Sequence, residues 1–134
     1  MALITIHDLS DHVLAFDLRD LLRLLGPQAL IAEWTIATPA ESAFEATGAG
    51  GLRLEKLAEV SGRIAGHQLL AVADDTRQVI WGDFIGKLPD DPHREWLTIR
   101  AFDSSFYEVE TADAASIEKI KSHFRDVRVV QGAN

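Results

Sequence analysis

The chain has 134 residues, the length of one ordinary domain, and can bury roughly two-thirds of its unfolded surface around a single core. It contains no cysteine, which excludes disulfides, thiolate metal sites and thiol nucleophiles. Its formal charge of -8 makes nucleic acid a poor partner, because the one local basic excess is the short stretch from Lys119 to Arg128.

Taken in chain order, Ala2 to Ile6 reads as an opening strand, followed by the acidic segment from His7 to His12. The first twelve residues lack a basic n-region, so they do not resemble a signal peptide, and no apolar run reaches bilayer-spanning length. A cytoplasmic protein without a membrane partner is the expectation. Asp17 is placed to cap a helix whose Leu18, Leu21, Leu22 and Leu25 share one face, and Gly26-Pro27 ends it. Gln28 to Thr38 alternates as a strand closed by Pro39. A loop runs from Pro39 to Gly51, and a second helix is predicted from about Leu52 to Ala65, stopped by Gly66.

Four strands are then predicted at about 67–73, 78–86, 95–102 and 106–111, joined by turn-rich gaps. Asp113 is placed to cap a closing helix with Ile117, Ile120 and Phe124 inward, and Val127 to Val130 offers a last strand. Strands grouped beside segregated helices imply a single α+β domain over residues 1–134. Its sheet should be mainly antiparallel, with a four-stranded meander at about 67–111, packed by about three amphipathic helices.

Motifs that would carry chemistry are weak. In a helix, His7 would lie over Asp11 and Asp8 over His12, a spacing suited to one shared ion, but a third ligand and a base are missing. The Thr47-Gly48-Ala49-Gly50-Gly51 loop before a helix invites an anion-site reading, yet it lacks the Lys-Ser/Thr of a phosphate loop. His67, Asp74, Asp75, Asp83, Ser104 and Ser105 could be assembled into a hydrolytic set only on paper, since no nucleophile elbow or spacing draws them together. Asp74-Asp75 and Asp90-Asp91 are turn formers by position. No catalytic residue, metal site or cofactor is assigned.

The meander carries more. A simple register across residues 87–94 sets Trp81 opposite Arg100, Asp83 opposite Thr98 and Ile85 opposite Trp96. Trp81, Asp83, Trp96, Arg100 and Phe102 then share one mixed face, joined by Glu108, while Ile80, Phe84, Leu97, Ile99, Ala101, Tyr107 and Val109 line an apolar one. Tryptophan and arginine are enriched at interface hot spots, because they bury a large area while keeping a polar handle. The same residues also suit a partly covered sheet face held by an Arg100-Glu108 pair.

The favoured expectation is a non-enzymatic protein-interaction module, a small acidic adaptor, inhibitor or immunity-type protein that docks a protein or a second copy of itself on the mixed face. The alternative is a small enzyme or ligand-binding domain whose cleft between sheet and helices holds an anionic ligand with Asp83, Arg100 and Glu108.

Overall fold

The computed structural model describes residues 1–132. Among these the chain forms β1 (Ala2–Ile6), β2 (Leu9–Ser10), β3 (Val13–Leu14), α1 (Leu18–Leu25), α2 (Pro27–Ile31), β4 (Glu33–Ala37), β5 (Glu45–Thr47) and α3 (Ala49–Glu59). It continues with β6 (Arg63–Ala65), α4 (Gly66–Asp74), β7 (Gln78–Lys87), β8 (Leu97–Phe102), β9 (Phe106–Thr111), α5 (Ala114–His123) and β10 (Val127–Gln131). The class is α+β. One eight-stranded sheet runs in the order β10, β1, β9, β8, β7, β4, β6, with β5 beside β4 on β7, and every pairing is antiparallel. The helices are segregated to one face of it, as period-2 strands with one apolar side require.

Burial shows which face. Ile4, Ile6, Phe84, Ile99, Tyr107 and Val109 are fully buried together with Leu18, Leu21, Leu22 and Leu25 of α1, and Leu54, Leu69 and Ile120 bring in the later helices. Trp34 of β4 lies in this layer, its indole N–H donating to the Ala29 carbonyl at 2.9 Å, so its polar atom is satisfied inside the core. Glycine allows this packing. A Cβ at Gly86 on β7 would press on the Trp34 ring at 3.0 Å, and one at Gly82 would meet the Phe44 ring at 2.5 Å.

The opening strand, the Asp17 helix with its Gly26-Pro27 stop, the Asp113 helix and the last strand form where the sequence places them. Asp17 donates its amide to Asp20 at 2.8 Å, and Asp113 accepts the Ala115 amide at 3.1 Å. Other segments differ, among them the expected loop from Pro39 to Gly51, which contains β5 and the first turn of α3. His67 to Ala73 is helical, so the meander has three strands, β7 to β9, which β1 extends beside β9. The run Leu69-Leu70-Ala71-Val72-Ala73 fits a buried strand or a helix, and four of its five residues are good helix formers. Leu69, Val72 and Ala73 then meet the core at i, i+3 and i+4.

The second helix ends at Glu59, where Ser61 turns with a φ of 48° and the Gly62 amide caps the Leu57 carbonyl at 2.8 Å. That turn frees Arg63 to Ala65 to pair with β4. Gln28 to Ile31 lies in α2, with Pro27 in its first turn, and only Glu33 to Ala37 is strand.

Candidate functional site

The face of the sheet turned away from the helices carries three cross-strand rows. The register that builds them runs Trp81 opposite Phe102, Asp83 opposite Arg100 and Ile85 opposite Thr98. It differs by two residues from the simple register, because successive turns at Leu88–Asp91 and Asp91–Arg94 shorten the strand, and pairing resumes only at Leu97 with Gly86. A two-residue slip keeps every side chain on its own face. The mixed composition of this face therefore survives the correction.

The first row is aromatic. His7, just past β1, stacks on Phe106 of β9 at 4.9 Å between ring centroids. Phe106 stacks on Phe102 of β8 at 4.8 Å, with the planes 11° apart, and Phe102 meets Trp81 of β7 edge-on at 5.8 Å. Four touching rings thus cross four neighbouring strands, in the stacked and edge-to-face geometries that aromatic pairs prefer. All four residues are half-buried. The Asp103-Ser104-Ser105 turn makes the row possible, since φ values of 51° at Asp103 and 59° at Ser104 reverse the chain tightly enough to set Phe102 opposite Phe106.

The second row is charged: Thr5, Glu108, Arg100, Asp83 and Ala37 lie opposite one another in turn. Arg100 donates from Nη1 to Glu108 at 2.8 Å and from Nη2 to Glu110 at 3.1 Å. Partial burial alone works against its charge, but these two hydrogen bonds outweigh it and hold the guanidinium firmly protonated. Among the described residues, Asp83 makes no side-chain hydrogen bond. Burial raises its pKa; Arg100 pulls the other way, and Glu41 and Glu108 add to the rise. The third row holds Leu3, Glu110, Thr98, Ile85 and Thr35.

Of the six residues expected on this face, Trp81, Asp83, Arg100, Phe102 and Glu108 are brought together there. Trp96 is not. It precedes the first residue of β8, and its ring turns to meet Trp34 edge-on at 6.0 Å, while its indole N–H donates to Asp113 at 3.0 Å. Burial alone would raise the Asp113 pKa, but this bond, the Ser116 hydroxyl at 2.8 Å and backbone amides carry it below the usual value. Trp96 thus joins the core layer and the cap of α5. The sequence reading missed His7, Phe106 and Glu110, although continuing the two-residue alternation of β1 and β9 would have placed all three.

The other constellations are dispersed. His7 to His12 enters a two-stranded hairpin, β2 with β3, whose Asp11 and His12 have φ values of 52° and 67°, so the helical spacing behind the shared-ion reading is absent. Among the described residues no group of three or more His, Cys, Asp or Glu is placed to hold a metal ion. The glycine-rich segment is the packed first turn of α3. A Cβ at Gly50 would run into the Val72 carbonyl and Thr76, and the Gly50 amide already donates to the Asp75 carbonyl at 3.0 Å. His67 and Asp74 occupy opposite ends of α4, and Asp74 pairs with Arg23 at 2.7 Å.

Asp83, Arg100 and Glu108 face away from the helical layer, outside any cleft between sheet and helices. Hollows lie elsewhere: one of about 320 Å³ beside Trp96 and Asp113, and one of about 180 Å³ beside Ile4 and Ile117. No helix among the described residues is long and apolar enough to cross a membrane. Compared with protein-family models, curated proteins and solved structures, the chain matches none.

Proposed function

We propose that this protein is a non-enzymatic interaction module, a small acidic adaptor, inhibitor or immunity-type protein, which docks a basic protein surface on the open face of its sheet. The observation that carries this reading is the row His7, Phe106, Phe102 and Trp81, four rings in contact on a face with no helix over it. Such a row offers a rigid apolar strip for the centre of an interface, where aromatic anchors supply most of the binding energy.

The charged row beside it selects the partner. Asp83, Glu108 and Glu110 outnumber Arg100, and both of the guanidinium nitrogens that bond are already engaged within the chain. An incoming anion meets a net negative row; an incoming lysine or arginine meets an unpaired carboxylate at Asp83 and the faces of Trp81 and Phe102. A complementary basic surface is therefore favoured over the anionic ligand of the alternative reading.

The test compares proteins retained from the native source by the wild-type chain and by a Trp81→Ala/Phe102→Ala double variant. Circular dichroism and urea unfolding should confirm that both are folded. The proposal expects a defined set of basic proteins to be lost by at least about tenfold in the variant, a loss of at least about 1.4 kcal/mol. Equal retention by a folded variant would overturn it.

A further inference from the structure

The two edges of the sheet end differently. β6 is three residues long and carries Arg63, whose guanidinium lies 3.6 Å from Glu33 across the strand pair. It is short and charged, as protected edges are. β10 is five residues long, contains no proline, and among the described residues pairs on one side only, with β1, through a register shift that leaves Val130 without a paired residue between Val129 and Gln131. Its one charged residue, Arg128, is held by Asp126 at 3.0 Å. Val129 and Val130 are 55 % and 61 % exposed. A β-branched edge with free backbone donors and acceptors is a template for another strand.

Beside that edge, on the helical side of the sheet, lies the groove of about 180 Å³, lined by Ala2, Ile4, Ile117 and Val129. Open edge and groove belong to one patch. A two-fold pair places the same patch on both partners, so a surface that holds both a projecting valine and the hollow beside it can complement itself.

We infer that β10 pairs antiparallel with β10 of a second copy, about a two-fold axis near Val129, joining the two sheets into one. In this register Arg128 lies opposite Val130 and Val127 opposite Gln131, so neither strand sets like charges directly across from each other. The two Val129 side chains meet beside the two grooves and cover them.

This edge escapes the acidic excess of the chain. The chain carries -8 overall, yet residues 114–131 hold four bases, Lys119, Lys121, Arg125 and Arg128, against two acids, Glu118 and Asp126. Glu108 lies two strands in from β10, so the two copies of its row sit about five strand spacings apart, roughly 24 Å at ~4.8 Å per strand. That exceeds the Debye length of about 8 Å at physiological salt, and the acidic rows barely repel. The pairing goes beyond docking at the open face. It also leaves that face free, since a two-fold axis normal to the sheet turns both aromatic rows to the same side.

Sedimentation equilibrium across a concentration series tests it. The wild-type chain should approach twice the chain mass, whereas Val129→Lys and Val130→Lys, each at an exposed site, should sediment as folded monomers, with self-association weakened by at least about tenfold. A wild-type monomer at every concentration, or a dimer that survives both substitutions, would overturn the inference. Hydrogen exchange on the wild-type protein gives a second readout that needs no variant. Backbone amides of Val127–Gln131 should gain protection as concentration rises, and a dimer that protects the open face instead contradicts the pairing. Trp81→Ala/Phe102→Ala should dimerise like the wild type, so failure at the edge and failure at the open face are read separately.

Discussion

β7, β8 and β9 present two faces built by the same backbone, and the faces are used in opposite ways. Phe84, Ile99 and Val109 are fully buried beneath the helices, while their sequence neighbours Asp83, Arg100 and Glu108 remain half-exposed on the other side. Stability is concentrated on one face, which leaves the other free to carry charged groups that a core would not accept. The lesson is that a strand's alternation leaves a mixed, half-exposed face as surely as it builds a core.

The same substitution made on each face should have very unequal effects. Phe84→Ala, at a fully buried ring packed edge-on against Phe44 at 5.9 Å, should lower unfolding free energy by about 3–5 kcal/mol. Phe102→Ala on the open face should cost less than about 1.5 kcal/mol, since its ring is half-exposed between Trp81 and Phe106. Urea unfolding of both variants decides it, and equal costs would mean that the open face is a second core.

A smaller effect is expected at Asp113, which caps α5 and tethers Trp96. Asp113→Ala should cost about 1 kcal/mol at neutral pH. Its folded pKa is depressed below the ordinary 3.8, so its contribution is present above that value and is lost as pH falls through the lower folded one. Urea midpoints of wild type and variant should therefore converge in strong acid.

The smallest effect has the opposite sign. The pKa of Asp83 is raised, chiefly by burial, so between the ordinary 3.8 and the higher folded value the native state holds the proton more tightly and stability falls as pH rises. Asp83→Asn should be slightly more stable than wild type at neutral pH, with the gap closing as pH falls through that window. A variant less stable than wild type at neutral pH would show that attraction to Arg100 outweighs desolvation.

Facing was legible in the sequence where a period of two was unbroken. Trp81, Asp83, Arg100, Phe102 and Glu108 fall together despite a register that differs by two residues, because such a shift preserves parity. Trp96 was not legible, since it stands before the first ladder pair, where backbone turns rather than alternation aim the side chain. The helix α4 was hidden by an apolar run that suits either period, and the edge at β6 by a helix stop carried on Ser61 and Gly62. The His7 to His12 segment suggested metal ligands only under a helical spacing; its hairpin leaves His7 to join the aromatic row instead.

Docking of a partner on the open face is the proposal most in need of a direct test. Its most direct measurement is site-specific photo-crosslinking, with a photoreactive phenylalanine analogue placed at Phe102 or, as a control, at Val60, which is 76 % exposed just after α3. If the open face is the docking site, the same basic partner is captured from Phe102 and not from Val60. Capture from Val60 alone, or equally from both, would contradict it.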